Sequence, residues 1–346
     1  MLGGFETLRA LVKTRSGGGS VALLQVPEPH AGPGQVVMRV VAAALCGTDV
    51  HIVHGTLRVD TPRILGHELA GTVAEVGPGV VGFDLGQPIT TETDASFCGR
   101  CRFCRSGDMH LCAERTGIGT SADGGFAEYV ALSAGGVHPL PPGIDIEAGA
   151  LTEPLAVAVR AVVERGAVGP GERVAVIGPG TIGLLASQVA NTRGAQVVLV
   201  GLARHARRFR LARDLGVASA LVLDDPAGGQ SGLDEAVASF DAALDCSGTP
   251  AAMAVGLDLL RKGGRLILVG FHGTPAGLDV DRFINRELSL VASRGKRPTS
   301  FRLALELLGS GQVDTTRLIT HRFPFDDWRD AVAAAGRPGT KVLLRM

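Results

Sequence analysis

Residues 173–183 read RVAVIGPGTIG, an apolar run followed directly by a glycine-rich turn. The run has the composition of a buried strand, and residues 184–193 carry the apolar spacing of a helix. In the turn, Gly178 permits the tight bend, Gly180 lets a pyrophosphate approach the backbone, and Gly183 allows the helix to pack on the strand. This order of strand, turn and helix favours dinucleotide binding over glycines that only make a turn.

The turn also positions the start of the helix. Thr181 and Ile182 lie between the second and third glycines, in the turn that leads into the helix. The N-terminus of a helix presents free backbone N–H groups to an anion. We therefore expect the cofactor phosphates to lie against residues 178–183.

The alternation of strand and helix continues beyond this stretch. Further strands are predicted at 196–200, 220–223, 241–245 and 265–269. Repeated βα units with continuous apolar strands require a parallel sheet covered on both faces. The sequence therefore predicts an α/β, doubly wound parallel sheet over residues 154–293.

Residues 1–153 differ in character from the segment that follows. Short β-branched runs, such as 36–41 and 71–76, alternate with turns rich in Gly, Pro and Asp. This pattern predicts a mostly antiparallel β domain, in which residues 17–19 make a hairpin turn.

The C-terminal residues 294–346 are expected to return to the first domain. A helix is predicted at 301–308 and a strand at 341–344. The second domain is then an insertion between the two parts of the first.

The end of the strand at 196–200 bears on the choice of dinucleotide. A fold that binds NAD usually has an acidic residue there, which accepts hydrogen bonds from the ribose hydroxyls. This chain has Gly201, and Arg204, Arg207 and Arg208 follow it. A guanidinium suits the 2′-phosphate of NADP, so the sequence favours NADP slightly within NAD(P). The alternative is that these arginines form the solvated face of a helix at 207–215.

Four cysteines recur at a tight spacing in the loop 98–112: Cys98, Cys101, Cys104 and Cys112. Thiolates at such intervals close a tetrahedron around a structural Zn²⁺. The alternative is a disulfide knot, but a chain of 346 residues with 45% hydrophobic residues has little need of covalent links. The spacing therefore predicts a structural zinc site.

A second metal site is predicted from dispersed residues. Cys46, His67 and Glu68 lie beside turn residues, and Glu153 lies further along the chain. An open catalytic zinc site takes three protein ligands and leaves one exchangeable position. Cys46, His67 and one of the two carboxylates satisfy this requirement, and the sequence does not decide between Glu68 and Glu153.

Composition excludes several classes of protein. Lys+Arg and Asp+Glu both number 34, so the formal net charge is zero and no basic footprint for nucleic acid is expected. We find no secretory leader and no apolar run long enough to span a membrane. A cytoplasmic protein without a membrane partner is expected.

The order of these motifs resembles the zinc-containing medium-chain dehydrogenases, in particular the sorbitol and threonine dehydrogenase branch. The resemblance rests on Cys46-Gly-Thr-Asp, Gly66-His-Glu, the four-cysteine loop, Glu153-Pro-Leu-Ala and the glycine turn, and it runs from about residue 8 to the C-terminus. It implies a GroES-like β catalytic domain with an inserted Rossmann domain. It also implies two zinc ions per chain and a small-molecule alcohol or ketone as substrate. We further expect a homo-oligomer, either a dimer or a tetramer.

The resemblance also implies roles for single residues. Thr48 and His51 match the family's proton relay, and Glu68 belongs to the catalytic centre. Arg294 is similar to an arginine that meets substrate or cofactor in the sorbitol branch. The implied reaction is hydride transfer between a polyol, cyclitol or other secondary alcohol and the nicotinamide.

Two alternatives come from other classes. A zinc-stabilised nucleotide-binding sensor would have no use for an open metal site. A reductase of activated alkenes would lack both zinc sites. The metal motifs argue against both, whereas the identity of the alcohol stays open.

Overall fold

The computed structural model describes residues 7–225, 229–337 and 341–346. The chain divides into two compact units. The first contains the residues up to Glu153 together with Arg297–Gly309 and Thr315–Met346, and the second contains Pro154–Lys296 and Ser310–Asp314. Residues 294–296 and 310–314, expected in the first domain, thus fall in the second unit.

The N-terminal part of the first unit is built mainly from short strands. They are β1 (Thr7–Lys13), β2 (Val21–Pro27), β3 (Gln35–Ala44), β4 (Arg63–Ile64), β5 (Glu68–Val76), β6 (Pro88–Thr91), β7 (Asp94–Ser96), β8 (Thr116–Gly117), β9 (Tyr129–Ser133) and β10 (Val137–Pro139). Its helices are α1 (Gly47–His54), α2 (Arg102–Arg105) and α3 (Ile146–Gly149). Strands β1 and β2 pair antiparallel around the predicted hairpin turn.

The second unit alternates strand and helix. Helix α4 (Thr152–Val159) leads into it and continues as a π-helical turn, Arg160–Arg165. Its strands are β11 (Arg173–Ile177), β12 (Gln196–Gly201), β13 (Ser219–Val222), β14 (Phe240–Asp245), β15 (Leu260–Leu268) and β16 (Ser289–Ala292). Its helices are α5 (Thr181–Thr192), α6 (Ala206–Asp214), α7 (Gly229–Ala236), α8 (Pro250–Leu259) and α9 (Val280–Arg286).

These six strands form one parallel sheet in the order β13-β12-β11-β14-β15-β16. The strand order reverses beside β11, and α5 follows that strand through the glycine turn. Ligands bind at such a switch point in open α/β sheets. The predicted doubly wound sheet is confirmed.

The C-terminal segment supplies α10 (Pro298–Gly309), β17 (Ile319–Pro324), α11 (Trp328–Ala335) and β18 (Lys341–Arg345). Strand β18 pairs antiparallel with β3, with Leu343 opposite Ala44. The main sheet has the order β10-β6-β5-β3-β18-β17, and β9 also pairs with β3. Both ends of the chain therefore build one sheet, as expected.

The core of the first unit confirms this shared origin. Met38, Leu69 and Phe126 come from the N-terminal part, and Trp328 and Leu344 come from the C-terminal part. All five are buried in one cluster. In the described part of the chain, no helix is long and apolar enough to cross a membrane.

Candidate active site and cofactor site

The four cysteines of the loop 98–112 converge as the spacing predicts. The Sγ atom of Cys98 lies 3.8 Å from that of Cys104 and 3.6 Å from that of Cys112, and Cys101 and Cys104 are also 3.6 Å apart. A tetrahedron with Zn–S bonds of about 2.3 Å has edges of about 3.8 Å. All four are free thiols, so no disulfide competes. The donor set fits a structural zinc ion.

Backbone groups prepare one of these thiols to act as a ligand. The N–H groups of Cys101 and Arg100 lower the pKa of Cys98 to about 6. Metal binding requires the thiolate, so a lowered pKa favours it at neutral pH.

A second cluster contains Cys46, His67 and Glu68, whose ligand atoms all lie within 4.8 Å of one another. Strands β3 and β5 bring them together, because Ala44 pairs with Glu68 in the antiparallel register. Cys46 lies two residues after the end of β3, and His67 lies directly before the start of β5. One thiolate, one imidazole and one carboxylate suit an open zinc site.

Asp49 lies next to two residues of this cluster, Cys46 and His67. It is fully buried, and its Oδ2 accepts a hydrogen bond from the backbone N–H of Cys46 at 2.9 Å. Its Oδ1 lies 3.6 Å from Nδ1 of His67, and neither atom has a hydrogen-bond partner among the described residues. A carboxylate at one ring nitrogen orients a histidine so that the other can bind a metal.

The charges around His67 also fit a cation. Burial lowers the pKa of His67, but the Asp49 carboxylate and the Cys46 side chain outweigh burial and hold that pKa well above its ordinary value. The same negative charges favour a metal cation, which binds the imidazole in place of its proton.

Lys341 is the counter-ion of Glu68. Both side chains are buried and form an ion pair, and Nζ of Lys341 also donates to the carbonyl of Leu45 at 3.2 Å. Burial lowers the pKa of Lys341, but the negative charges of Glu68 and Cys46 raise it above its ordinary value, so the ammonium stays charged.

Glu153 is buried in the first turn of α4. It lies outside the cluster of three ligands, although its charge acts on both Glu68 and Lys341. The structure thus brings Glu68 to the thiol and imidazole, with Glu153 as a further negative charge nearby.

Helix α1 carries the predicted relay residues. Thr48 is half-buried, and His51 follows on the same face of the helix and is exposed. The hydroxyl of Thr56 donates to the carbonyl of His51 at 3.1 Å and lies 3.0 Å from its Nδ1. Because that hydroxyl has one hydrogen, Nδ1 must donate to it, and Nε2 is left able to accept a proton. Among the described residues, no hydrogen bond joins Thr48 to His51.

The glycine turn has the geometry that a phosphate needs. Gly178 has a φ of +95°, and a side chain there would meet Ser247 at 2.9 Å. A side chain at Gly183 would meet the carbonyl of Gly178 at 2.0 Å, whereas the space around Gly180 is open. Gly180 also caps α5, whose first turn contains Thr181 and Ile182. The turn therefore fits the pyrophosphate of a dinucleotide.

The predicted arginines follow Gly201, the last residue of β12. Arg204 and Arg207 are exposed and Arg208 is half-buried. Burial lowers the pKa of Arg208, and the neighbouring charge of Arg204 lowers it further. Two guanidinium groups close enough to repel each other make a place for an anion.

Comparison with known proteins bears on the nature of the site. Residues 32–142 match the alcohol dehydrogenase GroES-like domain, and residues 181–310 match the zinc-binding dehydrogenase domain. A sorbitol dehydrogenase of Halalkalibacterium halodurans is 38% identical over 345 residues, which cover 97% of this chain and 99% of that protein. The chain belongs to the zinc-containing medium-chain dehydrogenases.

Further similarities define the branch of this medium-chain dehydrogenase. An L-threonine 3-dehydrogenase of Streptomyces avermitilis is 36% identical over 348 residues, which cover 97% of this chain and 99% of that protein. A zinc-binding dehydrogenase of Sinorhizobium meliloti 1021, solved with NADP bound, superposes with a TM-score of 0.89 at 30% identity and covers 99% of this chain and 100% of that one. The enzyme is an NAD(P)-dependent alcohol or polyol dehydrogenase of the sorbitol and threonine dehydrogenase branch. The sensor and the alkene reductase are both disfavoured.

Sequence reasoning missed two residues of this dehydrogenase. Asp49 stands three residues after Cys46, and that spacing was a usable signal because a side chain there reaches back to the start of the helix. Lys341 gave no signal, because only the pairing of β18 with β3 brings it to Glu68. Arg294 follows β16 and is exposed, so its contact with substrate or cofactor stays a prediction.

Proposed function

We propose that this dehydrogenase oxidises a polyol, cyclitol or other secondary alcohol at the cluster of Cys46, His67 and Glu68, with NADP as the preferred acceptor of hydride. The observation that carries the proposal is the convergence of these three ligands within 4.8 Å. A zinc ion bound there supplies Lewis acidity, which lowers the pKa of an alcohol towards neutrality.

The residues around the cluster provide the other requirements. Asp49 orients the imidazole of His67, and Lys341 holds the Glu68 carboxylate. Thr48 and His51 carry the alcohol proton outwards, with Nε2 of His51 as its final acceptor. The turn 178–183 holds the pyrophosphate of the dinucleotide that receives the hydride.

The preference for NADP is supported by the end of β12. Gly201 offers no carboxylate to the ribose hydroxyls, and Arg204 and Arg208 offer positive charge to a 2′-phosphate. The related structure from Sinorhizobium meliloti also contains NADP.

A homo-oligomer is supported by the surface of the second unit. Strand β16 is one of the two outermost strands of its sheet, and an edge strand offers free backbone groups to another strand. Leu290 in this strand and three large apolar side chains before it in sequence are exposed: Phe271, Val280 and Ile284. A second copy of the chain would cover them. The cytoplasmic location stays a prediction.

The experiment that tests the proposal separates the two metal sites. We expect two zinc ions per chain. Cys46→Ser should give a folded, inactive protein with one zinc, whereas Cys101→Ser should lose folding stability, because structural zinc binding contributes to the free energy of folding. Full turnover by Cys46→Ser, or one zinc in the wild type, would refute the assignment.

A further inference from the structure

The surroundings of Gly201 are closed rather than open. A Cβ atom at this position would lie 3.0 Å from Cζ of Phe209, 3.0 Å from Cδ of Pro179 and 3.1 Å from Nδ1 of His205. Phe209 is a buried residue of α6, and Pro179 belongs to the glycine turn. The position that holds the ribose-binding carboxylate in NAD-binding folds is therefore already enclosed by side chains.

His205 is the polar member of this enclosure, and a backbone contact fixes its tautomer. The N–H of Leu202 donates to Nδ1 of His205 at 3.2 Å. Nδ1 is thus an acceptor, and the neutral ring carries its hydrogen on Nε2.

The charges near His205 keep the ring neutral. Burial lowers its pKa, Arg208 and Arg204 lower it further, and Asp224 opposes them. The Asp224 carboxylate is itself engaged, because its Oδ1 accepts a hydrogen bond from the N–H of Ala203 at 2.5 Å.

We propose that His205, together with Gly201, contributes to the cofactor specificity of this enzyme by occupying the space of the ribose-binding carboxylate and presenting a neutral donor beside Arg204 and Arg208. The inference rests on the proposed use of NADP. It adds that Gly201 and His205 act as a pair, so that neither residue sets the preference by itself.

The pairing follows from what an acidic residue at position 201 would meet. Its carboxylate would lie beside Nδ1 of His205, which carries partial negative charge and has its lone pair engaged by the N–H of Leu202, so the ring repels it and offers it no donor at that nitrogen. If the ring instead took up a proton, the imidazolium would pair with the carboxylate and withdraw it from the ribose. In both cases the new carboxylate binds NAD poorly until His205 is removed.

The test measures the dissociation constants of NAD and NADP by calorimetry on the full-length enzyme. It compares wild type, Gly201→Asp, His205→Ala and the double variant Gly201→Asp/His205→Ala. The matched control is Gly201→Asp/Arg210→Ala, because Arg210 is an exposed residue of α6 that is not among the charges acting on His205.

We expect wild type to prefer NADP and Gly201→Asp to improve NAD binding by less than about 3-fold. The double variant should improve NAD binding by about 10-fold or more, the worth of one charge-assisted hydrogen bond, and the control should behave like Gly201→Asp. His205→Ala alone should weaken the preference for NADP by about 3- to 10-fold.

Each outcome separates the two claims. If wild type prefers NADP but Gly201→Asp reverses the preference as fully as the double variant does, His205 has no part in specificity. If the ratio of the dissociation constants for NADP and NAD is the same in His205→Ala as in wild type, the inference is overturned in the same way. This variant adds no side chain that could prevent folding. If wild type prefers NAD, the proposed use of NADP is wrong and the inference falls with it.

Discussion

Replacing Lys341 by Met should destabilise the enzyme prepared without zinc more than most single substitutions do. The substitution keeps most of the apolar stem but leaves the buried Glu68 without its counter-ion. Breaking a buried ion pair by removing one partner costs about 3–5 kcal/mol. For a cooperative unit of 150–250 residues this corresponds to a fall in melting temperature of roughly 6–20 °C.

The double variant Lys341→Met/Glu68→Gln distinguishes an ion pair from simple packing. Glu68→Gln alone should also be destabilising, because it leaves the Lys341 ammonium buried without its partner. When both charges are removed, most of the loss should be recovered, since uncharged replacements of a buried pair are often nearly neutral. Recovery should be incomplete, because the hydrogen bond from Lys341 to the carbonyl of Leu45 is lost as well.

Scanning calorimetry with and without added zinc provides the assay. A divalent cation beside Glu68 replaces the missing positive charge, so zinc should raise the melting temperature of Lys341→Met more than that of wild type. The reasoning is refuted if Lys341→Met melts within about 2 °C of wild type without zinc, which is less than about 1 kcal/mol. It also fails if the losses of the two single variants simply add in the double variant.

Two further predictions concern the relay and the assembly. Loss of a general acid–base group costs about 10²- to 10⁴-fold in rate. We expect the loss in His51→Gln to lie at the low end of this range, because water can replace the imidazole, and the loss in Thr48→Ala to lie at the high end. His54→Gln, at an exposed position, serves as the control. A wild-type rate and pH profile in His51→Gln would exclude His51 from the relay. Light scattering should show that the wild type is a dimer or tetramer and that Ile284→Asp weakens this assembly. Val81→Asp is the control, because Val81 is an exposed apolar residue of the first unit, and it should leave the assembly intact. A monomeric wild type would contradict this prediction.

Features set by neighbouring residues could be predicted from the sequence. The four thiols of the zinc loop lie within a few residues of one another, so their spacing alone required convergence. The strand, turn and helix around Gly178 are equally local. Even here the predicted bounds of the helix differ from the observed ones. Helix α5 begins at Thr181, directly after its cap at Gly180, and not at residue 184.

Features set by pairing across the chain were not accessible in the same way. The ion pair of Lys341 with Glu68 depends on the register of β18 against β3, and no local sequence pattern predicts that register. The absence of a carboxylate at Gly201 could be read directly, but the enclosure by His205 depends on the tight turn Ala203–His205. The structure therefore predicts that a single substitution at Gly201 is not sufficient to reverse cofactor choice.

The shared sheet has a consequence for the synthesis of the chain. Domains generally fold as units while the ribosome extends the chain. Most of the second unit is continuous, so its parallel sheet can close while β18 is still unmade. The part of β3 that pairs with β18 must wait without that partner until β18 itself emerges. A chain that stops before Lys341 contains every proposed metal ligand, but its sheet lacks β18 and the Glu68 carboxylate lacks its counter-ion. We expect chaperones and proteases to act on such a chain before it can be active.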